Sequence, residues 1–354
     1  MYMYRHSFLS IALIAAILLL SACGNSSGSG QPSSSASNTV STASPSTSSS
    51  EAAFEPQALK VTHPFGTTEL PTSHERIASI NLEDMLLALN VPIVFGMSIG
   101  EGYYLNDRLK EQGAALEIWG DSLNLEAIVA AQPDLIIAST AIMQEGYDNL
   151  SKIAPTIVYD REDWKNSLTA IGQALGIEDQ AQAVISAYDT KAADAKTALN
   201  QLLAEDKSAA FIRMTAKDFR VYFPNYVDEK TQIEWPTYPG VLYNELGMKL
   251  DPTVQQWHKE KPNFQNATIS LEMLPELQAD YLFVTLGGAG STDEEIKQAK
   301  ESFSTIEQSA VWKSVPAVKA GHVIFVNARH WISSGPLANS MKIDDVVAEL
   351  NSSN

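Results

Sequence analysis

The sequence predicts an α/β fold: two doubly wound lobes joined by one long α-helix, with a cleft between the lobes. Three observations lead there. Nearly the same phrase occurs twice, LEAIVAAQPDLIIA at 125–138 and LEMLPELQADYLFV at 271–284. In each copy a Leu-Glu pair opens a helical pattern, an Asp follows eight residues after the Glu, and an apolar run comes at once. Strand-like runs alternate with helical patterns on both sides of the chain's centre, which favours parallel sheets with crossover helices. Between them, residues 176–206 carry no Gly or Pro after Gly176 and are rich in Ala, Gln, Lys and Leu. That stretch reads as one long helix. About 28 helical residues would span roughly 40 Å, enough to cross from one lobe to the other.

The first lobe is expected over 59–175. ERIASIN (75–81) is a short buried strand, LEDMLLALNV an amphipathic helix stopped at Pro92, and PIVFGM a second strand. GYYLNDRLKEQGA reads as loop and helix, LEAIVAAQP as a helix feeding the strand DLIIAS, and IAPTIVYD as a further strand. The linking helix takes 176–206. The second lobe follows over 207–354, with SAAFIRMT and DYLFVTL as strands and YPGVLYNELGM containing a helix. Ser291 and Glu294 are spaced as a capping box at the head of TDEEIKQAK. HVIFVNARHW closes the sheet and DDVVAELN is a last helix. A ligand would sit where two such lobes face each other.

The first 22 residues are different in kind: a basic start at Arg5, an apolar stretch, then small residues. They read as a secretory signal, too short for a comfortable membrane span. Leu20-Ser21-Ala22-Cys23 resembles the bacterial lipobox, and Cys23 is the chain's only cysteine. That resemblance implies a diacylglycerol on the Cys23 sulfur and a new N-terminus there. Residues 23–58 would be the lipidated cysteine and a disordered Ser-rich tether, since 24–50 hold no charge and almost nothing to bury. The expected location is outside the cytoplasm, lipid-anchored to the cell membrane, and the long tether favours a Gram-positive surface.

The formal net charge of −18 argues against nucleic acid, which needs clustered Lys and Arg. The histidines at 63, 74, 258, 322 and 330 are scattered without an i, i+4 pair or an acid cluster, so no protein-held metal is expected. GMSIG (96–100) matches the G-x-S-x-G pattern of serine hydrolases, making Ser98 a remote candidate nucleophile. Glu101, Gly102 and two Tyr interrupt the helix such an elbow needs. An enzyme is not expected.

Several stretches resemble the substrate-binding lipoproteins of iron-siderophore ABC transporters. They are HERIASINLEDMLLALNVPIVFG, LNLEAIVAAQPDLIIAS, LSKIAPTIV, VLYNELGMKL, AVWKSVPAVKAGHVIFV and HWISSGPLANSMKIDDVVAEL. The likeness covers about 59–352 and lies in their order rather than in any one motif. It implies capture of a ferric siderophore, limited hinge motion, and delivery to a dimeric permease in the membrane. Heme-binding and cobalamin-binding receptors share the fold and stand as alternatives. The resemblance also implies that Glu126 and Glu272 dock the two permease subunits, one carboxylate per lobe. Both open helical patterns, where the helix dipole favours an acid. The protein is expected to act as a monomer with no cofactor beyond the lipid.

Ligand contacts are expected first in FRVYFPNYVDEKTQIEWPTY (219–238), where six of twenty residues are aromatic. It reads as a loop over the cleft. A ferric siderophore is bulky and partly apolar, so it suits aromatic walls plus Arg or Tyr donors for the oxygens around iron. The candidates are Arg213, Arg220, Tyr222, Tyr226, Trp235 and Tyr238, with Arg329 after the last strand. The resemblance adds Trp331 as a residue packing on the chelate. From the first lobe come Asn81, Tyr103 and Trp119, all just past strand ends. Few basic residues among these aromatics lean the choice toward a hydroxamate or mixed carboxylate chelate.

Overall fold

A computed structural model describes residues 59–352, apart from 121, 204, 205 and 217. The expected signal, the lipidation site Cys23 and the tether lie outside the described residues.

The first lobe is built on a five-stranded sheet in the spatial order Ala115–Ile118, Ile93–Ser98, Ile77–Ile80, Leu135–Ser139, Thr156–Tyr159. Every ladder in it is parallel. Ile77–Ile80 and Leu135–Ser139 are buried along their whole length, as strands with both faces covered must be. The next strand after Ile77–Ile80 lies to one side of it, and a later one, Leu135–Ser139, to the other. Ile77–Ile80 is thus the topological switch point, and the crevice beyond its carboxyl end is where α/β sheets bind ligands. Asn81 is the residue at that end, held at φ +63°.

The second lobe carries a six-stranded sheet, and here the structure departs from an all-parallel expectation. Its main path runs Asn266–Ile269, Phe219–Tyr222, Ser208–Met214, Tyr281–Leu286, Val323–Val326. Phe219–Tyr222 runs antiparallel to both neighbours. The segment expected as a cleft loop is therefore partly sheet. Phe219 and Val221 alternate with Arg220 and Tyr222, a two-residue period, and a tight turn closed by Thr215 N–H on the Asp218 carbonyl (3.0 Å) reverses the chain before it. Asn225–Val227 and Glu234–Pro236 add a small antiparallel ribbon.

The two copies of the repeated phrase keep the order helix, turn, strand but not the helix type. Leu125–Ala130 is α-helical, whereas Leu271–Glu276 is a 3₁₀-helix. Pro275 inside the second copy has no N–H to continue an α-helical ladder. The capping box also falls one residue later than its expected place. Thr292 and Glu295 form it, while Ser291 Oγ accepts from Gly288 N–H at 2.9 Å.

The linking helix spans Glu178–Leu202, roughly 37 Å at 1.5 Å per residue. Its buried residues Ala181, Tyr188, Ala192, Ala195 and Leu199 form one stripe. That stripe packs on helix Trp164–Leu175 of the first lobe and on the C-terminal helix Pro336–Ser352. The C-terminal helix also touches Glu83–Ala88 of the first lobe, so it is a second tie between the lobes. A third contact is backbone on backbone. A Cβ added to Gly290 would lie 1.8 Å from the carbonyl oxygen of Ile99, so only glycine permits this approach.

Candidate functional site

A cavity of about 330 Å³ lies at the switch point, between the lobes. Asn81, Tyr103, Trp119 and Arg161 come from the first lobe; Tyr238, Ser333 and Ser334 come from the second. All the first-lobe residues follow the carboxyl ends of parallel strands. Four of the residues expected from sequence therefore meet here: Asn81, Tyr103, Trp119 and Tyr238. A second cavity of about 330 Å³ adjoins it through Ser334 and is lined by Trp164, Trp235, Glu162, Glu234 and Glu245. Trp235 belongs to this neighbour rather than to the first cavity.

Arg161 is the residue sequence reasoning missed. It sits two residues past strand Thr156–Tyr159, the same kind of position as Asn81, and that was the available signal. Its Nη2 donates to Glu162 at 3.1 Å and its Nη1 reaches Asn81 Oδ1 at 3.5 Å, while its buried Nε has no partner. Burial opposes its charge, but the adjacent Glu162 carboxylate favours it, and the guanidinium stays firmly protonated. The phenol of Tyr103 is pushed well above its ordinary value by burial and by the nearby Glu83 and Asp84. It stays a neutral hydroxyl throughout the physiological range.

Across the cleft, Arg213 and Arg220 are directly opposed on neighbouring antiparallel strands. Two cations so placed would repel, and Asp218 resolves it. Arg213 Nη2 donates to both Asp218 oxygens at 3.1 Å, and Arg220 Nε donates to Oδ2 at 2.6 Å. Burial works against the charge on Asp218, yet Thr215 and the two arginines hold its carboxyl below the usual range. One carboxylate against two guanidiniums leaves a net positive centre. It stands beside Tyr222, whose ring packs between Phe211 (5.6 Å) and Tyr238 (5.5 Å). Tyr222 is itself buried and does not line the cavity. Tyr226 pairs with Trp235 across the small ribbon. Its phenol is raised by burial and by Glu162 of the other lobe, which places it at the seam.

Two expectations are corrected. Trp331 is 0% exposed, stacked between Phe211 (5.4 Å) and Phe283 (5.5 Å), with Nε1 donating to Asp345 at 2.8 Å. It is a core residue and touches no cleft. The cause is local: the chain after the last strand turns into helix Ala328–Trp331, which carries the indole inward. Arg329 lies outside the cavity, ion-paired to Asp293 at 2.6 Å.

Glu126 and Glu272 are both exposed, each in the first turn of its helix. Glu272 is held below the usual carboxylate range by its own backbone N–H and by Ser270. Ser98 is buried and closes on its own loop, its Oγ donating to the Gly100 carbonyl at 2.9 Å. The next helix begins only at Asn106, so no nucleophile elbow forms.

A model of the family described as "Periplasmic binding protein" matches residues 119–329. The chain belongs to that family. It is 28% identical over 353 residues to the "Probable siderophore-binding lipoprotein YfiY" of Bacillus subtilis (strain 168), covering 97% of this chain and 98% of the relative. It is 26% identical over 307 residues to the iron(3+)-hydroxamate-binding protein YxeB of the same organism, covering 86% of this chain and 88% of that protein. Among solved structures it is similar to Staphylococcus aureus SirA complexed with staphyloferrin B. The TM-score is 0.67 at 26% identity, over 83% of this chain and 98% of that one. The family and these relatives are binding proteins, not enzymes.

Proposed function

We propose that this protein captures a ferric siderophore outside the cytoplasm and presents it to an ABC-transporter permease for iron uptake. The observation that carries the reading is the cavity at the switch point. Aromatic side chains from both lobes wall it, and one buried, firmly protonated guanidinium, Arg161, lines it. A ferric chelate matches it: an apolar body for Tyr103, Trp119 and Tyr238, and iron-bound oxygens for Arg161. The net positive Arg213–Asp218–Arg220 cluster behind Tyr222 supports a chelate with partial negative charge, of hydroxamate or mixed carboxylate type. No protein ligand to iron is needed, because the siderophore supplies the coordination. Among the described residues no group of three or more His, Cys, Asp or Glu is placed to hold a metal ion.

The lobes, taken as 59–175 and 207–354, present Glu126 and Glu272 to the permease subunits. Cys23 carries the lipid that holds a monomer at the membrane. Ligand favours the closed arrangement of the lobes, and the permease recognises that pair of surfaces. The test is tryptophan-fluorescence quenching of the body from about residue 51. The titrants are ferric desferrioxamine B, ferric citrate, a ferric catecholate, heme and cobalamin. Saturable sub-micromolar quenching by a ferric hydroxamate or carboxylate is expected. Binding of heme or cobalamin alone would replace the ligand assignment.

A further inference from the structure

Lys342 is fully buried, an unusual place for a lysine. It lies on the C-terminal helix, directly behind the cleft. Its Nζ donates to the backbone carbonyls of Ser333 (2.6 Å) and Tyr238 (2.8 Å) and to Asn339 Oδ1 (3.0 Å). An ammonium has three N–H donors, and here three acceptors use them all. Two of those acceptors belong to residues that line the cavity, on separate segments of the second lobe. Asp344 pairs with Lys191, and Asp345 takes the hydrogen bonds of His330 and Trp331.

We propose that Lys342 is a positioning residue for ligand capture: from inside the core it fixes the backbone at Tyr238 and at Ser333, and so sets the second-lobe wall of the cleft. This rests on the proposed function, and it adds a residue that touches no ligand. The lysine also belongs to the tie between lobes. Asp84 of the first lobe accepts from the N–H groups of Leu337 and Ala338 at the start of the same helix, both at 2.9 Å, and from the Tyr104 hydroxyl. Asp84 and Glu245 are the carboxylates that favour the ammonium, and Arg161 opposes it. Burial dominates and pulls the lysine down to about 7.

A consequence in pH follows. Below neutrality the ammonium serves all three acceptors. As pH rises through about 7 the neutral amine keeps two N–H groups, and one acceptor loses its donor. Affinity should then fall. Asp160, next to Arg161 in sequence and raised to about 6 by burial and by Glu162, also titrates near this window, so a comparison with a variant is needed.

The experiment is the Kd of ferric desferrioxamine B or of ferric citrate, whichever quenches saturably, between pH 6.5 and 8.5, for wild type and Lys342→Met. Wild type should weaken several-fold across the range. Lys342→Met, which keeps Asp160, should be tenfold weaker at pH 6.5 and should lack that decline. Lys342→Gln, an amide with two N–H donors, should recover part of the loss if the methionine variant folds poorly. Equal affinities and equal pH profiles in wild type and both variants would overturn the positioning role while leaving the function intact. If neither chelate binds folded wild type at any pH, the functional reading fails and this inference falls with it.

Discussion

Gly335 stands where the lobes meet over Asp84. Its φ is +131°, and a Cβ there would lie 2.4 Å from Asp84 Oδ1. Gly335→Ala is expected to displace Asp84 from the start of the C-terminal helix and to lower stability by roughly 1–3 kcal/mol. A lower urea midpoint at unchanged slope would show it. Residue by residue, the site was legible wherever chemistry coincided with position. Asn81, Tyr103 and Trp119 follow strand ends, and in an open α/β sheet that is the binding edge. Trp331 follows a strand end too, yet a four-residue helix turns it into the core, and nothing in an aromatic's identity reveals that turn. Arg161 was hidden by its neighbours, since Asp-Arg-Glu reads as solvated surface. Asp84 read as an ordinary polar position on an amphipathic helix, and Lys342 lay just before the last helix expected at DDVVAELN. The start of the C-terminal helix covers Asp84 from the other lobe, while segments around Tyr238 and Ser333 of its own lobe enclose Lys342.

At the scale of elements, the linking helix holds the lobes by more than length. Tyr188 near its middle meets Trp164 of the first lobe edge to face, with ring centres 4.9 Å apart. Its hydroxyl also donates to Glu245 of the second lobe at 3.3 Å. One side chain thus contacts both lobes. Tyr188→Ala should cost about 3–5 kcal/mol, the range for deleting a buried aromatic. Tyr188→Phe should cost about 1 kcal/mol, the share of a single hydrogen bond. Equal losses in the two variants, measured by thermal melting, would mean that the hydroxyl rather than the ring does the work. Long elements declared themselves in the sequence. The linking helix was expected over 176–206 and runs Glu178–Leu202. Short ones did not. Strand Ala115–Ile118 lies at an edge and is only partly buried, so its pattern is weak. Leu271–Glu276 copies the earlier phrase, but Pro275 redirects it.

For the whole molecule, the repeat, the alternation and the central helix foretold two α/β lobes, and the structure supplies both sheets. The mixed strand directions of the second lobe were not foretold, because a two-residue period over only four residues marks a strand and says nothing of its direction. The docking proposal belongs to this scale. Glu126→Gln with Glu272→Gln should reduce cellular uptake of the ferric chelate at least tenfold while leaving its Kd unchanged. Normal uptake by the double variant would remove both residues from the permease interface. Whether the cleft holds a ferric chelate is decided by equilibrium dialysis with radioactive iron. The folded body is dialysed against iron-loaded desferrioxamine B and iron-loaded citrate, alongside Arg161→Ala. One iron should be retained per chain with at least one chelate, and Arg161→Ala should weaken retention tenfold or more. Folded wild type that retains no iron with either chelate would contradict chelate binding in the cleft, and so would retention indifferent to Arg161.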